Sequence, residues 1–427
     1  MEIQYIHEQF LKCKSVSTDT RKIEPQSMFV AIKGERFNAN TFAAEALEKG
    51  ASYVIIDDAS YHIDDRTILV DDSLTTLQQL ANFHRNYLKL PIIALTGSNG
   101  KTTTKELIHA VLSRKFRAKA TVGNLNNHIG VPLTLLSFDS DTEIGIVEMG
   151  ANHQKEIEFL CNIAQPDYGY ITNFGKAHLE GFGGEAGVIK GKSEMYTFLY
   201  QNHKTVFVNL EDAIQVDKTK GMKTVTFGIN KPLADLDIKS IKANPFVEVT
   251  FENTTVISHL IGLYNASNIN AAIAIGKHFG LSADQIKAAI EGYIPENNRS
   301  QMLQKATNEI ILDAYNANPS SMKVAIENFI QLDKQNKVII LGDMFELGTE
   351  SLQEHKAVID LLLHESKIEC YFVGKDFYQM RNDKNNFHFF ETFDDFAQKL
   401  STLSIRNNML LIKGSRGMAL ERTLELL

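Results

Sequence analysis

Two series of short apolar runs, each run followed by a segment of helical length, set the limits on how this chain can fold. The first is IIALTG, EIGIVEMG, YGYITNFG and KTVFVNL, between residues 92 and 210; the second is EIILDAY, KVIILGDM, IECYFVG and MLLIKGS, from residue 309 onward. Unbroken apolar runs of this length belong to strands buried on both faces, and helical crossovers between them make the sheets parallel. The chain is therefore expected to be α/β, with a central parallel-sheet domain over residues 89–295 and a C-terminal, Rossmann-like doubly wound domain over residues 296–427. Residues 1–88 read as a separate small α/β domain, with strands in SMFVAIKG and ASYVIIDD and a helix in TFAAEALEKG that ends on Gly50. Between Lys223 and Leu263 the runs TVTFG, LDIKSI and FVEVTFEN follow one another without a helix, which predicts an antiparallel patch on the central domain. A length of 427 residues, 44% of them hydrophobic, is enough for three cores.

The segment IIALTGSNGKTTTKEL, residues 92 to 107, joins a strand to a tight turn and then to a helical pattern. Against the general phosphate-loop spelling G-x-x-x-x-G-K-[ST] it is one glycine short, because counting back from Gly100 lands on Leu95. The physics of the loop survives: Lys101 opens a helix whose free N–H groups and dipole favour an anion. Lys101 is expected to reach the terminal phosphates of a nucleotide, and the Thr102 hydroxyl to meet the magnesium that rides with them. Glu148, ending the strand IGIVEMG, can offer that ion a carboxylate oxygen, and the loop after YGYITNFG brings in His178.

Taken with GNLNNHIGVPLTLL, EMGANHQKEI, KGKSEMY, YNASNINAAIA, NNRSQ, DAYNANPSSM, LGDMFELG and KGSRGMALE, in this order over nearly the whole chain, these pieces resemble the Mur ligases. Those are the ATP-dependent amide-bond enzymes of peptidoglycan precursor synthesis. The family spells its loop T-G-[ST]-x-G-K-T-[TS], which Thr96, Gly97, Ser98, Asn99, Gly100, Lys101, Thr102 and Thr103 match, so the absent glycine is the family's own spelling. The resemblance implies a UDP-binding first domain, a P-loop ATPase domain and a C-terminal ligase domain that closes over ATP. DAYNANPSSM and LGDMFELG point, within the family, to the branch that joins D-alanyl-D-alanine to UDP-N-acetylmuramoyl-tripeptide through an acyl phosphate, releasing ADP and phosphate.

Carried over position by position, the resemblance has Thr102 and Glu148 holding the magnesium of ATP, His178 helping to hold a second ion, and Lys192 bearing a carbamate that ligates metal. Asn265 and Asn268 would meet the adenine, Arg299 a phosphate and Asp313 the ribose. Asp19, Thr20, Arg21, Lys33, Gly34 and Arg36 would bind the UDP substrate on the first domain, Asn126 and Asn127 would face the same nucleotide-linked peptide substrate, and Asn316 and Asn318 the dipeptide. Lys101, Thr102, Glu148, His178, Lys192 and Arg299 form the expected catalytic set. The residues alone leave Lys192 open as a solvated lysine and Asn265 as a helix N-cap. His128, Ala314 and Tyr264 depart from the family's common Glu, Asp or Ser, and His.

A net charge of -8 argues against a nucleic-acid partner, which needs a concentrated basic face. No apolar stretch is long enough to predict membrane insertion, and MEIQYIHEQFLKCKSV has no unbroken apolar region of a signal peptide. Cys13, Cys161 and Cys370, far apart and odd in number, suit reduced thiols in a cytoplasm. A cytoplasmic monomer is expected. A sister Mur ligase or a folylpolyglutamate synthase would share the loop and the metal ligands, but not NANP and GDMFELG. A nucleotide switch would need N-K-x-D, and the nearest string, NKPL at Asn230, lacks the aspartate.

Overall fold

The computed structural model describes residues 2–403 and 405–427. Strands Ser15–Ser17, Ser27–Val30, Tyr53–Ile56 and Thr67–Leu69 form a parallel four-stranded sheet in that order. Alternation along these strands splits the burial: Phe29, Val54 and Ile56 pack toward helix Ala43–Glu48, whereas Met28, Val30 and Ile55 pack toward helix Ser73–Leu88. Asp72 caps that second helix by accepting the Thr75 N–H. The helix also packs on Gly130–Leu136 and Glu156–Ala164 of the central domain. Arg85 locks it there by donating to the Gln165 carbonyl at 3.0 Å and to Asp167 at 2.7 Å.

The central sheet has nine strands. From one edge the order is Ala118–Ala120, Ile144–Glu148, Ile92–Thr96, Tyr168–Ile171, Thr205–Asn209, Lys223–Ile229, Leu236–Ala243, Phe246–Phe251 and Thr254–Ile261. Ile93 and Leu95 face helices Lys101–Leu112 and Ala266–His278, while Ile92 and Ala94 face the helices on the other side, so both faces are covered. The expected antiparallel patch needs a correction: Lys223–Ile229 runs parallel to both its neighbours, and only the last three strands form antiparallel pairs. Parallel pairing without a helix is possible because only three residues pair, Phe227 to Ile229 with Leu236 to Ile238, across a short turn. Asp235, accepting from the Thr226 N–H, and Asp237, accepting from the Lys231 N–H, hold that turn.

The C-terminal sheet runs Gln301–Lys305, Asn308–Asp313, Met409–Lys413, Lys337–Gly342, Glu369–Val373 and Phe387–Phe390, parallel except for the first hairpin. Helix Phe393–Leu400 covers one face through Phe396 and Leu400, and helices Pro319–Gln331 and Ser351–Leu362 cover the other, as a doubly wound sheet requires. One continuous apolar core runs from Ile6 and Met28 through Val147 and Leu179 to Ile339 and Phe372, crossing all three regions. The unpaired thiols sit against these cores, and burial pushes Cys13 to about 11, Cys370 to about 12 and Cys161 further, which suppresses their reactivity. No helix among the described residues is long and apolar enough to cross a membrane.

Candidate active site

Three parallel strands end side by side in the central domain, with Leu95 opposite Glu148 on one side and Tyr170 on the other. The loop Gly97–Gly100 turns off the middle strand. Gly97 sits at φ 144° and Gly100 at φ 77°; a Cβ would fall 1.9 Å from Thr172 Oγ1 at the first and 2.5 Å from Asn268 Oδ1 at the second, so only glycine serves at either. The neighbouring strand's end pins the loop: Asn173 Oδ1 accepts the Asn99 N–H at 3.1 Å, and Thr172 Oγ1 donates to the Asn99 carbonyl at 2.6 Å. Lys101 Nζ folds onto the carbonyls of Gly97 at 2.8 Å and Ser98 at 3.3 Å. Burial lowers its pKa, Glu148 opposes that shift and Arg299 adds to it, so both charged groups lie close.

Glu148 is 1% exposed at the end of its strand. Its Oε1 accepts from Asn126 Nδ2 at 2.9 Å and from the Thr102 hydroxyl at 3.3 Å, while Oε2 is buried with no partner. A desolvated carboxylate oxygen left unpaired is costly, and a divalent cation is the partner its chemistry suits. Magnesium is therefore a good fit for Glu148 and Thr102 together. Lys192 lies in helix Glu185–Lys192, 1% exposed, with its ammonium over the Phe182 ring and in no ion pair among the described residues. Burial drives its pKa well below the usual lysine range and the Lys101 charge adds to this, against Glu156. The solvated-lysine alternative is thereby removed: this is a buried amine whose surroundings favour the uncharged form. His178 takes a left-handed conformation at φ 53° and pairs through Nδ1 with Glu346 of the C-terminal domain. Among the described residues no three His, Cys, Asp or Glu side chains gather into a ready metal cage.

The C-terminal domain faces this loop across a cavity of about 740 Å³. Its wall includes Arg299, Asp313, Tyr315, Asn316 and Asn318 on one side and Lys101, Thr102, Glu148, Asn126, Asn127 and His178 on the other. Arg299 stacks on Tyr315, 3.7 Å from its ring centroid, with Nε buried and unpartnered. Asp313 accepts from the Ser300 N–H at 3.1 Å and from Lys413 Nζ at 2.6 Å. Asn318 caps helix Pro319–Gln331 through the Ser321 N–H, and its amide reaches Asn99 Oδ1 at 2.7 Å. Asn316 has its carbonyl on Lys413 Nζ at 3.3 Å.

Asn265 and Asn268 also line the cavity, but their amides are engaged: Asn265 Nδ2 donates to the Ile261 carbonyl at 2.8 Å, Asn268 Nδ2 to Asn265 Oδ1 at 2.8 Å, and Thr104 Oγ1 to Asn268 Oδ1 at 3.0 Å. Asn265 stands at the N-cap position of its helix without making a cap bond. Asn127 Oδ1 accepts the Ile129 and Gly130 N–H groups, an ordinary loop-closing role. Thr96 and Thr103 are buried beneath the loop, and Ser98 Oγ donates to the Gly175 carbonyl at 2.6 Å. Asp19, Thr20, Arg21, Lys33, Gly34 and Arg36 lie outside this cavity on the first domain; Arg21 pairs with Asp19 at 2.8 Å, and Lys33, Gly34 and Arg36 sit exposed on the hairpin Lys33–Gly34 and Phe37–Asn38. Of the departures from the common pattern, His128 is exposed and Ala314 fully buried in the C-terminal core.

Asn173 and Lys413 were not singled out by sequence reasoning, although each sits at or just after the carboxyl end of a strand inside YGYITNFG or MLLIKGS. That position in a parallel sheet was the available signal.

The Mur ligase middle domain matches residues 95–276, the Mur ligase glutamate ligase domain residues 298–416, and the Mur ligase family catalytic domain residues 12–85. The chain is 35% identical over 419 residues to the UDP-N-acetylmuramoyl-tripeptide–D-alanyl-D-alanine ligase of Bacillus subtilis, covering 95% of this chain and 91% of that one. It is 33% identical to the Escherichia coli ligase of the same name, covering 97% and 93%. Among solved structures, MurF from Acinetobacter baumannii superposes with a TM-score of 0.86 at 31% identity, covering 99% of this chain and 97% of that one. MurF ligase from Thermotoga maritima, in complex with ADP, gives a TM-score of 0.84 at 27% identity, covering 98% and 97%.

Proposed function

The chain belongs to the Mur ligase family, and from that premise we propose that it joins D-alanyl-D-alanine to UDP-N-acetylmuramoyl-tripeptide at the expense of ATP. Full-length likeness to ligases of that name supports the substrates, and an ADP-bound relative supports the nucleotide. The observation that carries the reading is the single cavity bounded by the phosphate loop and Glu148 on one side and by DAYNANP on the other.

The reaction opens with a terminal carboxylate oxygen of the tripeptide attacking the γ-phosphorus of ATP, and ADP leaves. The dipeptide amine then attacks the carbonyl carbon of the acyl phosphate, phosphate leaves with that carboxylate oxygen, and the amine loses a proton. Repulsion between carboxylate and triphosphate is the main obstacle, so positioning and cationic charge do most of the catalysis. Lys101 would exchange its two loop carbonyls for the terminal phosphates, and the N–H groups at the start of helix Lys101–Leu112 would take the remaining oxygens. Arg299 would bring a further positive charge from across the cavity. Thr102 and Glu148 would hold magnesium, which when bound neutralises the phosphates. Lys192, buried and inclined to be neutral, suits capture of carbon dioxide as a carbamate, and His178 would contribute to a second ion after leaving Glu346.

Asp313, held by Lys413, would meet the ribose, with Asn265 and Asn268 near the adenine; Asn126, Asn316 and Asn318 would border the peptide substrates. Arg21, Lys33 and Arg36, exposed cations on the first domain, suit the diphosphate of UDP, with Asp19, Thr20 and Gly34 beside them. Domain limits of 1–88, 89–295 and 296–427, a monomeric state and cytoplasmic residence belong to the same proposal.

The test is a substrate panel with ATP and UDP-N-acetylmuramoyl-tripeptide. Phosphate release is expected with D-alanyl-D-alanine and not with glutamate or single amino acids; the opposite pattern would assign the chain to a sister ligase.

A further inference from the structure

Arg299 stands between two residues in the left-handed region, Asn298 at φ 51° and Ser300 at φ 47°. Neither is glycine, and such backbone costs on the order of 1 kcal/mol per residue unless its surroundings impose it. Here they do. The Asn298 carbonyl accepts the Tyr315 N–H at 3.2 Å, and the Ser300 N–H donates to Asp313 at 3.1 Å. The Ser300 hydroxyl, 6% exposed as a residue, meets the Tyr264 hydroxyl at 2.9 Å and accepts from Asn265 Nδ2 at 3.4 Å. Tyr264 and Asn265 belong to the central domain, at the start of helix Ala266–His278. Before Arg299 the same linker is tied to the phosphate-loop helix, because Tyr293 OH and Asn297 Nδ2 both bind the Glu106 carboxylate, at 2.5 and 2.8 Å.

Arg299 itself makes no ion pair among the described residues. Its direction is set by the stack on Tyr315 and by the bend of the backbone that carries it. We propose that Tyr264 and Ser300 are positioning residues: their paired hydroxyls hold the linker in the left-handed bend that aims Arg299 at the phosphates. The inference rests on Arg299 acting at ATP, as set out above. It assigns Tyr264, which lines the cavity, a task in the chemistry rather than in contact with the nucleotide alone.

The test compares Tyr264→Phe, Ser300→Ala, the double variant and Arg299→Ala by kcat, KM for ATP and Tm. Ser300→Ala removes the hydroxyl but keeps the Cβ that makes the left-handed bend costly, so nothing local replaces the lost restraint, and Tm should fall by only a few degrees for one buried hydrogen bond. Both single variants are expected to lose about tenfold in kcat, with KM for ATP within about twofold, since a misaimed group acts mainly in the transition state. Because both hydroxyls serve one contact, the double variant should fall no further than the worse single. Near-parental kcat in Ser300→Ala and Tyr264→Phe, or multiplying losses in the double variant, would overturn the proposal. Arg299→Ala should lose on the order of a thousandfold or more. Parental activity there would instead remove the premise about Arg299, and the inference with it.

Discussion

Glu148 Oε2 and Arg299 Nε are buried without partners, and Lys192 is buried with its amine over the Phe182 ring and in no ion pair among the described residues. Each is a cost in the free protein that a ligand can offset. Lys101→Ala should abolish ATP turnover while leaving Tm near the parent's, because the lysine holds only its own loop carbonyls; near-normal turnover would take the phosphate cradle out of the account. Lys192→Ala should be inactive and partly recovered by formate or acetate, whose carboxylate can stand where a carbamate oxygen would; absence of recovery would leave Lys192 a packing residue. Lys101, Thr102 and Glu148 were legible in the sequence because loop spelling and strand ends fix their geometry. The burial of Lys192 was not, since nothing in KGKSEMY separates it from Lys190 before the Phe182 ring is in place. Lys413 was missed for a similar reason: only the packed sheet shows it serving Asp313.

At the scale of elements, the alternating apolar runs revealed the parallel strands, Asn308–Asp313 among them, whereas its hairpin partner Gln301–Lys305 and the edge strand Phe387–Phe390 escaped because their residues are only partly buried or mixed in character. The docking of helix Ile3–Phe10 on Ser73–Leu88 depends on a pair no periodicity reveals. His84 Nε2 lies 2.9 Å from the Phe138 carbonyl and must donate to it, so in the neutral ring Nδ1 accepts from His7 Nε2 at 3.0 Å, an arrangement that protonation of both rings would break. Burial, and then the neighbouring His84, lower His7 to about 4, against Glu8; burial lowers His84 as well, against the Phe138 carbonyl. The unfolded chain therefore binds more protons than the folded one between pH of about 6.5 and about 4, so the pair's contribution is complete above that window and is lost as pH falls through it. Tm should drop more steeply from pH 7 to pH 5 in the parent than in His7→Gln; equal slopes would mean that the pair does not titrate with unfolding.

For the whole molecule, one apolar core joins all three regions, and polar contacts close the cavity over the loop: Asn318 to Asn99 at 2.7 Å, the Lys176 N–H to Ser320 Oγ at 2.8 Å, and Lys176 Nζ to Glu354 at 2.8 Å. Three-domain organisation could be read from composition and alternation, but closure could not, because it depends on side chains more than a hundred residues apart. Lys176 faces both Glu354 and Glu185, so Lys176→Glu should open the cavity and enlarge the radius of gyration by small-angle scattering, with Glu354→Lys in the same chain restoring it. The effect should be modest, since partly exposed ion pairs contribute about 0–1 kcal/mol; an unchanged radius would show that the apolar core alone sets the domain angle. The central claim, that this cavity activates a carboxylate as an acyl phosphate for attack by a dipeptide amine, has a direct measurement. Tripeptide substrate labelled with oxygen-18 in its terminal carboxylate is turned over with ATP and D-alanyl-D-alanine, and the released phosphate is analysed by mass. The account predicts one labelled oxygen in each phosphate, in step with peptide formed; phosphate free of label would contradict it.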